Sequence, residues 1–372
     1  MTKIIKKLSN PKIFVYTIMW MMILVFIGTI AQRDMGLYYA QQKYFSNWLA
    51  WLGPLPTPGG RLTMLVMFIN MLAMLYKSSL WQWKKIGVLI VHLGAMLLLI
   101  GGGITAWFSF EGNMVLNEGG QSNFIVNSQQ SELAFINTTE HDFDNVISMP
   151  EKILTDGNLL SPPELPFSVE IIKFYSNAKP VRRSKPNGNL YHGLAKNFLL
   201  VPIDNEKEAE MNRSAVLFKI SGTQSNADGI YSLFLGQSIP QNLIVNEQNF
   251  NLILRRERIY LPFAIELLDF KRVLHPGTTI PKSFSSEVNL IENKISRRVM
   301  IQMNEPLRHA EYTFFQASFS QDESGEISVL AVVKNYGRLF PYISSLIMSF
   351  GLLIHLLMQM PRLFVSKVIK EI

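Results

Sequence analysis

The chain has 372 residues, 48% of them hydrophobic and 17% charged, with no cysteine and a formal charge of +7. A soluble globular domain carries about 25% charged residues, so a good part of this chain is built for an environment other than water. The absence of cysteine excludes a disulfide framework, a zinc-thiolate site, an iron-sulfur cluster, a Cys-x-x-Cys redox motif and haem held through thioethers.

Four long stretches lack Asp, Glu, Lys and Arg: 13–32, 62–76, 86–110 and 339–361. Crossing the hydrocarbon takes about 20 helical residues. Three stretches qualify outright, and the second reaches full length if Arg61 snorkels at one end and Ser78 to Trp81 complete the other. The first exceeds the roughly 7 to 15 residues of a signal-peptide core and no small-x-small cleavage site follows Thr29, so it is expected to stay as an anchor. Residues 44–60 are also uncharged, but Pro54, Pro56, Pro58, Gly59 and Gly60 rule out a spanning helix across their second half. The first half, with Trp48 and Trp51, reads as a short interfacial helix.

Lys and Arg are held on the cytoplasmic side of short loops. Lys3, Lys6, Lys7 and Lys12, then Lys77, Lys84 and Lys85, then Arg362, Lys367 and Lys370 lie on one set of flanks, which places both termini in the cytoplasm. Residues 111–338 carry 22 Lys and Arg against 26 Asp and Glu, so this segment holds −4 and the membrane flanks +11. The basic residues are topological anchors and the water-exposed domain is acidic, which removes nucleic acid as a partner.

Within that domain, short alternating or β-branched runs recur at 113–116, 167–175, 215–220, 230–235, 243–254, 299–303, 312–319 and 327–333. Their spacing predicts a sandwich-like or barrel-like β domain, with a looser polar insert at 179–189. The chain is therefore read as a polytopic α-helical membrane protein. An N-terminal membrane region, 1–110, holds three of four transmembrane helices (about 13–32, 61–81 and 86–108); a large β-rich extracytoplasmic domain, 111–338, precedes the last helix (about 339–360) and a cytoplasmic tail to 372.

His141, His192, His275 and His309 fall in polar or turn contexts of the outer domain, where a lone histidine is usually a solvated surface residue. Arg255, Arg256 and Arg258 read as a solvated strand or turn, with an acidic headgroup or a propionate as the functional alternative. No nucleophile elbow, Gly-rich phosphate loop or His-Glu-x-x-His motif is present, and no catalytic residue is assigned.

His92 and His355 differ because each lies within a spanning helix, where an ionisable residue is a functional-site hypothesis by default. His92 lies seven residues beyond Lys85 and His355 seven residues before Arg362, so both are expected about 10 Å inside the cytoplasmic boundary. Two neutral imidazoles at one depth suit axial ligation of a haem iron. The competing reading is a hydrogen bond across a helix interface. Gly87, Gly94 and Gly101 recur every seven residues and make a face that admits a neighbouring helix or a flat macrocycle. His92 points about 160° away from that face. Two histidines provide for one haem at most, unless a partner lends ligands.

The chain resembles the ResB or CcsB family of cytochrome c biogenesis proteins, the System II factors. The resemblance rests on Gly28-Thr29-Ile30-Ala31-Gln32, Tyr44-Phe45 with Trp48, Pro58-Gly59-Gly60-Arg61-Leu62, Trp83-Lys84-Lys85-Ile86-Gly87, His92-Leu93-Gly94 and Glu118-Gly119. It continues through Leu261-Pro262-Phe263, Leu268-Asp269-Phe270, Pro276-Gly277-Thr278, Phe284-Ser285-Ser286-Glu287-Val288 and Asn304-Glu305-Pro306-Leu307. Tyr312-Thr313-Phe314-Phe315-Gln316-Ala317-Ser318-Phe319 and Asn335-Tyr336-Gly337 complete it.

The resemblance implies a haem-handling assembly factor in the bacterial inner membrane. Its expected partner is a CcsA/ResC-type membrane protein carrying a tryptophan-rich haem motif, which this chain lacks. Together the pair would export haem b, held noncovalently in transit, and present it to Cys-x-x-Cys-His sites of apocytochrome c. A thioredoxin-like system would reduce the thiols, in keeping with a cysteine-free chain. The chain would then be at most one half of a cytochrome c synthetase. Transmembrane histidines near the cytoplasmic side take up haem in the family; His92 matches by context and His355 is the second candidate, with the ligand opposite the third-helix histidine coming from the partner. The alternative is a membrane-anchored scaffold or tether that ligates no haem.

Overall fold

A computed structural model of the protein describes residues 3–76, 80–140, 143–185, 188, 190–322 and 325–370. Lys77, Ser78 and His141 lie outside the described residues. The chain divides into two compact units, one of residues 1–110 with 334–372 and one of residues 111–333.

In the first unit, three helices are long and apolar enough to cross a membrane: Pro11–Met35, Trp83–Phe108 and Phe340–Met360. By length and composition these are candidate membrane spans. The first helix follows a short one, Lys3–Leu8, and is started by the Asn10 side chain, which accepts the Lys12 N–H at 3.0 Å, with Pro11 in the first turn. The helix expected over 61–81 is Gly60–Leu75, 16 residues, which is short of a full crossing by itself.

The reason lies before it. The interfacial helix expected at Trp48 and Trp51 is instead a β-hairpin, Leu49–Leu52 paired with Leu55–Pro58, preceded by a helical turn Leu37–Gln41 and a π-helical turn Gln42–Ser46. Gly53 at φ 62° makes the sharp reversal. Prolines at alternate positions cannot donate to a helix ladder, but they are tolerated on the outer edge of a strand.

This segment folds back along the first helix. Phe45 lies against Gly28; Tyr44 and Ala50 share a buried cluster with Leu24; the Trp20 indole N–H donates to Pro58 O at 2.8 Å. From Phe45 to Pro58 the contacts descend from residue 28 to residue 20. The helix Gly60–Leu75 continues the descent, and buried Asn70 donates to the carbonyls of Leu8 and Asn10. Asn70 therefore supplies a donor to the Leu8 carbonyl where the chain breaks between the short and the long N-terminal helix, and a second one to Asn10 O beside the Ile13 N–H.

The second unit is β-rich. Its larger sheet has ten strands, in the order Ile295–Gln302, Pro281–Glu292, Gln248–Leu274, Gln121–Asn137, Phe110–Asn117, Gly325–Lys334, Tyr312–Asp322 and Leu307–His309; Gln241–Val245 and Asn145–Pro150 pair alongside. A second sheet has the order Gly229–Phe234, Ala215–Ser221, Ser168–Tyr175 and Leu159–Leu160. The two close over Phe135, Phe167, Phe218, Phe250 and the aliphatic residues around them, as in a sandwich.

The run read as one strand over 243–254 is split by Asn246 and Glu247, both at positive φ. Asn293–Lys294 and Ala310–Glu311 make the same two-residue reversal, the geometry that matches strand twist. The insert at 179–189 begins as half of a small hairpin, Ala178–Arg182 with Phe198–Pro202.

Candidate functional site: the third and last helices

The third helix, Ile86–Phe108, packs antiparallel against the last, Phe340–Lys370, and the glycine heptad is the seam. A β-carbon on Gly87 would lie 2.5 Å from His355 N and 2.7 Å from Gly351 O. On Gly94 it would lie 2.6 Å from Met348 Cγ and 3.1 Å from Ser344 O, and on Gly101 it would strike Phe340. From the other side, a β-carbon on Gly351 would meet Gly87 O and Val91 N at 2.9 Å. The face that the sequence offered to a helix or a macrocycle is filled by a helix, backbone against backbone at Gly87 and against the Met348 and Phe340 side chains at Gly94 and Gly101.

The same register separates the two histidines. The backbone of His355 lies against Gly87, five residues before His92, a difference of about 7 Å along the axis. His92 is on the side of the third helix turned away from the seam. The shared depth inferred from the flanking charges therefore does not hold, because Lys85 and Arg362 mark where charge resumes and not where the helices register. His92 and His355 are not brought together as two ligands of one iron.

His92 has a defined tautomer partner. Its Nδ1 lies 2.8 Å from the carbonyl of Val88, one turn back in the same helix. With the proton on Nδ1 and donated to Val88 O, Nε2 of the half-buried ring keeps its lone pair. Leu99, one heptad further on the same side, lines an apolar groove of about 680 Å³ with Met21, Met22, Phe26, Met64 and Met67.

In the β unit the candidate groups are dispersed, and among the described residues no three His, Cys, Asp or Glu side chains gather as metal ligands. His192 stacks on Tyr231 at 5.3 Å, with Nε2 3.2 Å from Asp228 O. His275 sits in an exposed turn, and His309 lies edge-on to Phe263 with Nε2 3.2 Å from Glu292. Burial pushes the Tyr231 phenol up to about 12. Hydrogen bonds from the Thr223 hydroxyl and backbone, and from Gly222 N, hold Asp228 below the ordinary carboxylate range. Burial raises Glu151 against the bond it accepts from Ser131 N.

The three arginines read as solvated are engaged. Arg255 pairs with buried Glu132 at 2.7 Å; Arg256 donates to the carbonyls of Gln129, Glu210 and Asn212; Arg258 lies 4.4 Å over the Phe124 ring. Their donors hold the strand Gln248–Leu274 to its neighbours.

The hairpin at 49–58 is the element that hydropathy and charge do not reveal. Its signal is the alternation of proline at 54, 56 and 58 beside Gly53.

Three apolar helices, two of them joined along a glycine seam, and a large β-rich unit are compatible with a membrane protein. The family model for the ResB-like family matches residues 82–198 and 229–329, and the chain belongs to that family. It is also similar to Protein NrfI of Wolinella succinogenes, 23% identical over 298 residues. That match takes in 78% of this chain and 29% of the length of NrfI, so the chain spans well under half of that relative.

Proposed function

We propose that the protein is the membrane subunit of a haem-handling complex of cytochrome c biogenesis. Membership of the ResB-like family and the likeness to NrfI support the role. In this reading the chain crosses a bacterial plasma membrane four times, the second crossing being the broken segment that ends in Gly60–Leu75. Both termini are cytoplasmic, and the β unit lies outside.

The observation that carries the haem reading is the Val88 carbonyl on His92 Nδ1, which leaves Nε2 available to iron. Haem b is the cargo, held noncovalently, and its iron would accept the one lone pair that the neutral His92 imidazole can donate in apolar surroundings. The chain's own residues fix the ring through Val88, close the opposite face of the helix with the glycine seam and keep water out. Since His355 lies across the seam, the ligand opposite His92 belongs to a CcsA/ResC-type partner. The β unit holds the apocytochrome c near the haem for attachment at Cys-x-x-Cys-His, with thiol reduction left to a thioredoxin-like system.

The test is the visible spectrum of the purified complex with its membrane partner. His92→Ala is expected to abolish the Soret band, and added imidazole to restore it. An unchanged band in His92→Ala would end the ligand assignment. For His355 a second reading is favoured by its backbone contact with Gly87: it belongs to the seam that tethers the last helix, and His355→Ala is expected to keep the band.

A further inference from the structure

In a chain that spans the membrane as proposed, the segment between the first and second helices lies within the bilayer, and the docking surface assigned to it rests on that reading. The uncharged stretch of the first helix, 13–32, covers about 30 Å. Trp20 is about 10 Å and Leu24 about 16 Å into it. Pro58 is hydrogen-bonded to Trp20, and Ala50 clusters with Leu24, so the hairpin Leu49–Pro58 lies at the depth of the hydrocarbon. Gly60 packs on the backbone of Phe45, and the helix it opens reaches Leu8 and Asn10 ten residues later.

Irregular backbone at that depth must be covered by protein, because lipid supplies no hydrogen bonds. The hairpin satisfies part of this itself. In the register Leu49↔Pro58, Ala50↔Thr57, Trp51↔Pro56 and Leu52↔Leu55, prolines cannot donate, so Ala50, Leu52, Leu55 and Thr57 make the inward pairs. Pro56 and Pro58 then face outward with no N–H to satisfy, and the Pro58 carbonyl takes the Trp20 indole.

The other strand has no such device. The outward N–H and C=O groups of Leu49 and Trp51 lie on a free edge of a two-stranded sheet. Their side chains are 49% and 54% exposed, as is Leu55 at the tip, 65%. Arg61, in the first turn of the helix that follows, makes no ion pair among the described residues. A helix N-terminus is already the positive end of its dipole, so this charge calls for an acidic or carbonyl neighbour.

We infer that the free edge of Leu49–Leu52, with Trp51, Leu55 and Arg61, is the docking surface for a transmembrane segment of a partner membrane protein that brings hydrogen-bonding and acidic or carbonyl groups to this depth. A partner and not a second copy is favoured on two grounds. The edge is flanked by a cation that a copy of itself would repel. In NrfI the matched stretch is 29% of the chain, so there this fold travels with more than twice its own length of further polypeptide.

Because the native chain has no cysteine, single cysteines report cleanly. The experiment uses the full chain co-expressed in its membrane with the membrane protein that co-purifies with it. Leu49→Cys, Trp51→Cys and Leu55→Cys carry a photoactivated maleimide crosslinker, with Leu346→Cys on the last helix, 72% exposed, as the control. The expected result is a crosslink from 49, 51 and 55 to a transmembrane peptide of that protein, absent from 346 and lost in Arg61→Ala. Crosslinked dimers of this chain, or equal yields from 346, would overturn the docking surface. Leu55→Cys that reacts freely with an impermeant maleimide in intact membranes would overturn its depth. The Soret band of each variant is read in parallel, so a failed crosslink with the band intact counts against this surface and leaves the haem reading standing.

Discussion

In the helical unit the third and last helices meet along a glycine seam, where Gly87 lies on the backbone of Gly351 and His355, Gly94 on Met348 and Ser344, and Gly101 on the Phe340 side chain, with no room for a β-carbon. In the β unit the sheets close over phenylalanines and aliphatic residues, and the buried Arg255 and Glu132 pair joins the two longest strands. The contrast follows from the solvent. Hydrophobic burial drives the sandwich together, while helices among lipid tails gain little from burying leucine and associate through close approach and a few polar contacts such as Asn70. Substitutions of the same kind should therefore fail in one unit and be absorbed in the other.

The largest effect is expected at the seam. Gly87→Leu would have to push the last helix off the third, a loss of about 3 kcal/mol or more, read as loss of the protease-resistant chain from membranes. Gly102→Ala, whose β-carbon would find only Met64 Cε at 3.7 Å, should be tolerated. Equal behaviour of the two would break the account of the seam.

Next is the buried ion pair. Arg255→Ala leaves the Glu132 carboxylate, 4% exposed, without its partner and should cost about 3 to 5 kcal/mol. Arg255→Met with Glu132→Leu should recover most of this, measured as the thermal midpoint of the full chain in detergent. A single variant as stable as the native chain would show that the pair is not what joins these strands.

Asn70→Ala takes the side-chain donor from the Leu8 carbonyl at the N-terminal break, while Asn10 O keeps the Ile13 N–H, at about 1 to 3 kcal/mol. Faster proteolysis near residues 8–10 is the expected readout. The smallest effect concerns Asp228. Its carboxyl is held below the ordinary range by Thr223 and Gly222, so its contribution is present above the ordinary carboxylate pKa and is lost as pH falls through the lower folded value. Asp228→Asn should loosen the turn at 222–228 at neutral pH and flatten its response to acid, as followed by amide exchange.

Much of this is legible in the amino-acid order, for reasons that can be traced to residues. Period-two runs such as 215–220 and 312–319 became strands because alternation at one buried face leaves little freedom. The glycine heptad correctly marked a face of close approach. What escaped depends on partners distant in sequence or on turns without their usual residue. Asn246–Glu247 and Ala310–Glu311 reverse the chain without glycine. The uncharged run predicts a full-length helix over 61–81 because it does not record where a folded-back segment has already covered half the distance. The common depth of His92 and His355 failed likewise: charge at helix ends reports the boundary of each helix separately, and register is set by Gly87 against His355.

The family assignment and the 2.8 Å contact of His92 Nδ1 with the Val88 carbonyl are independent observations, and both support the proposal that this histidine offers Nε2 to haem iron with the second ligand supplied by a partner. The most direct measurement is the visible spectrum of the complex carrying His92→Ala, taken with and without imidazole. The account predicts loss of the Soret band and its return with imidazole, while His355→Ala retains it. A Soret band undiminished in His92→Ala, or one lost only in His355→Ala, would contradict it.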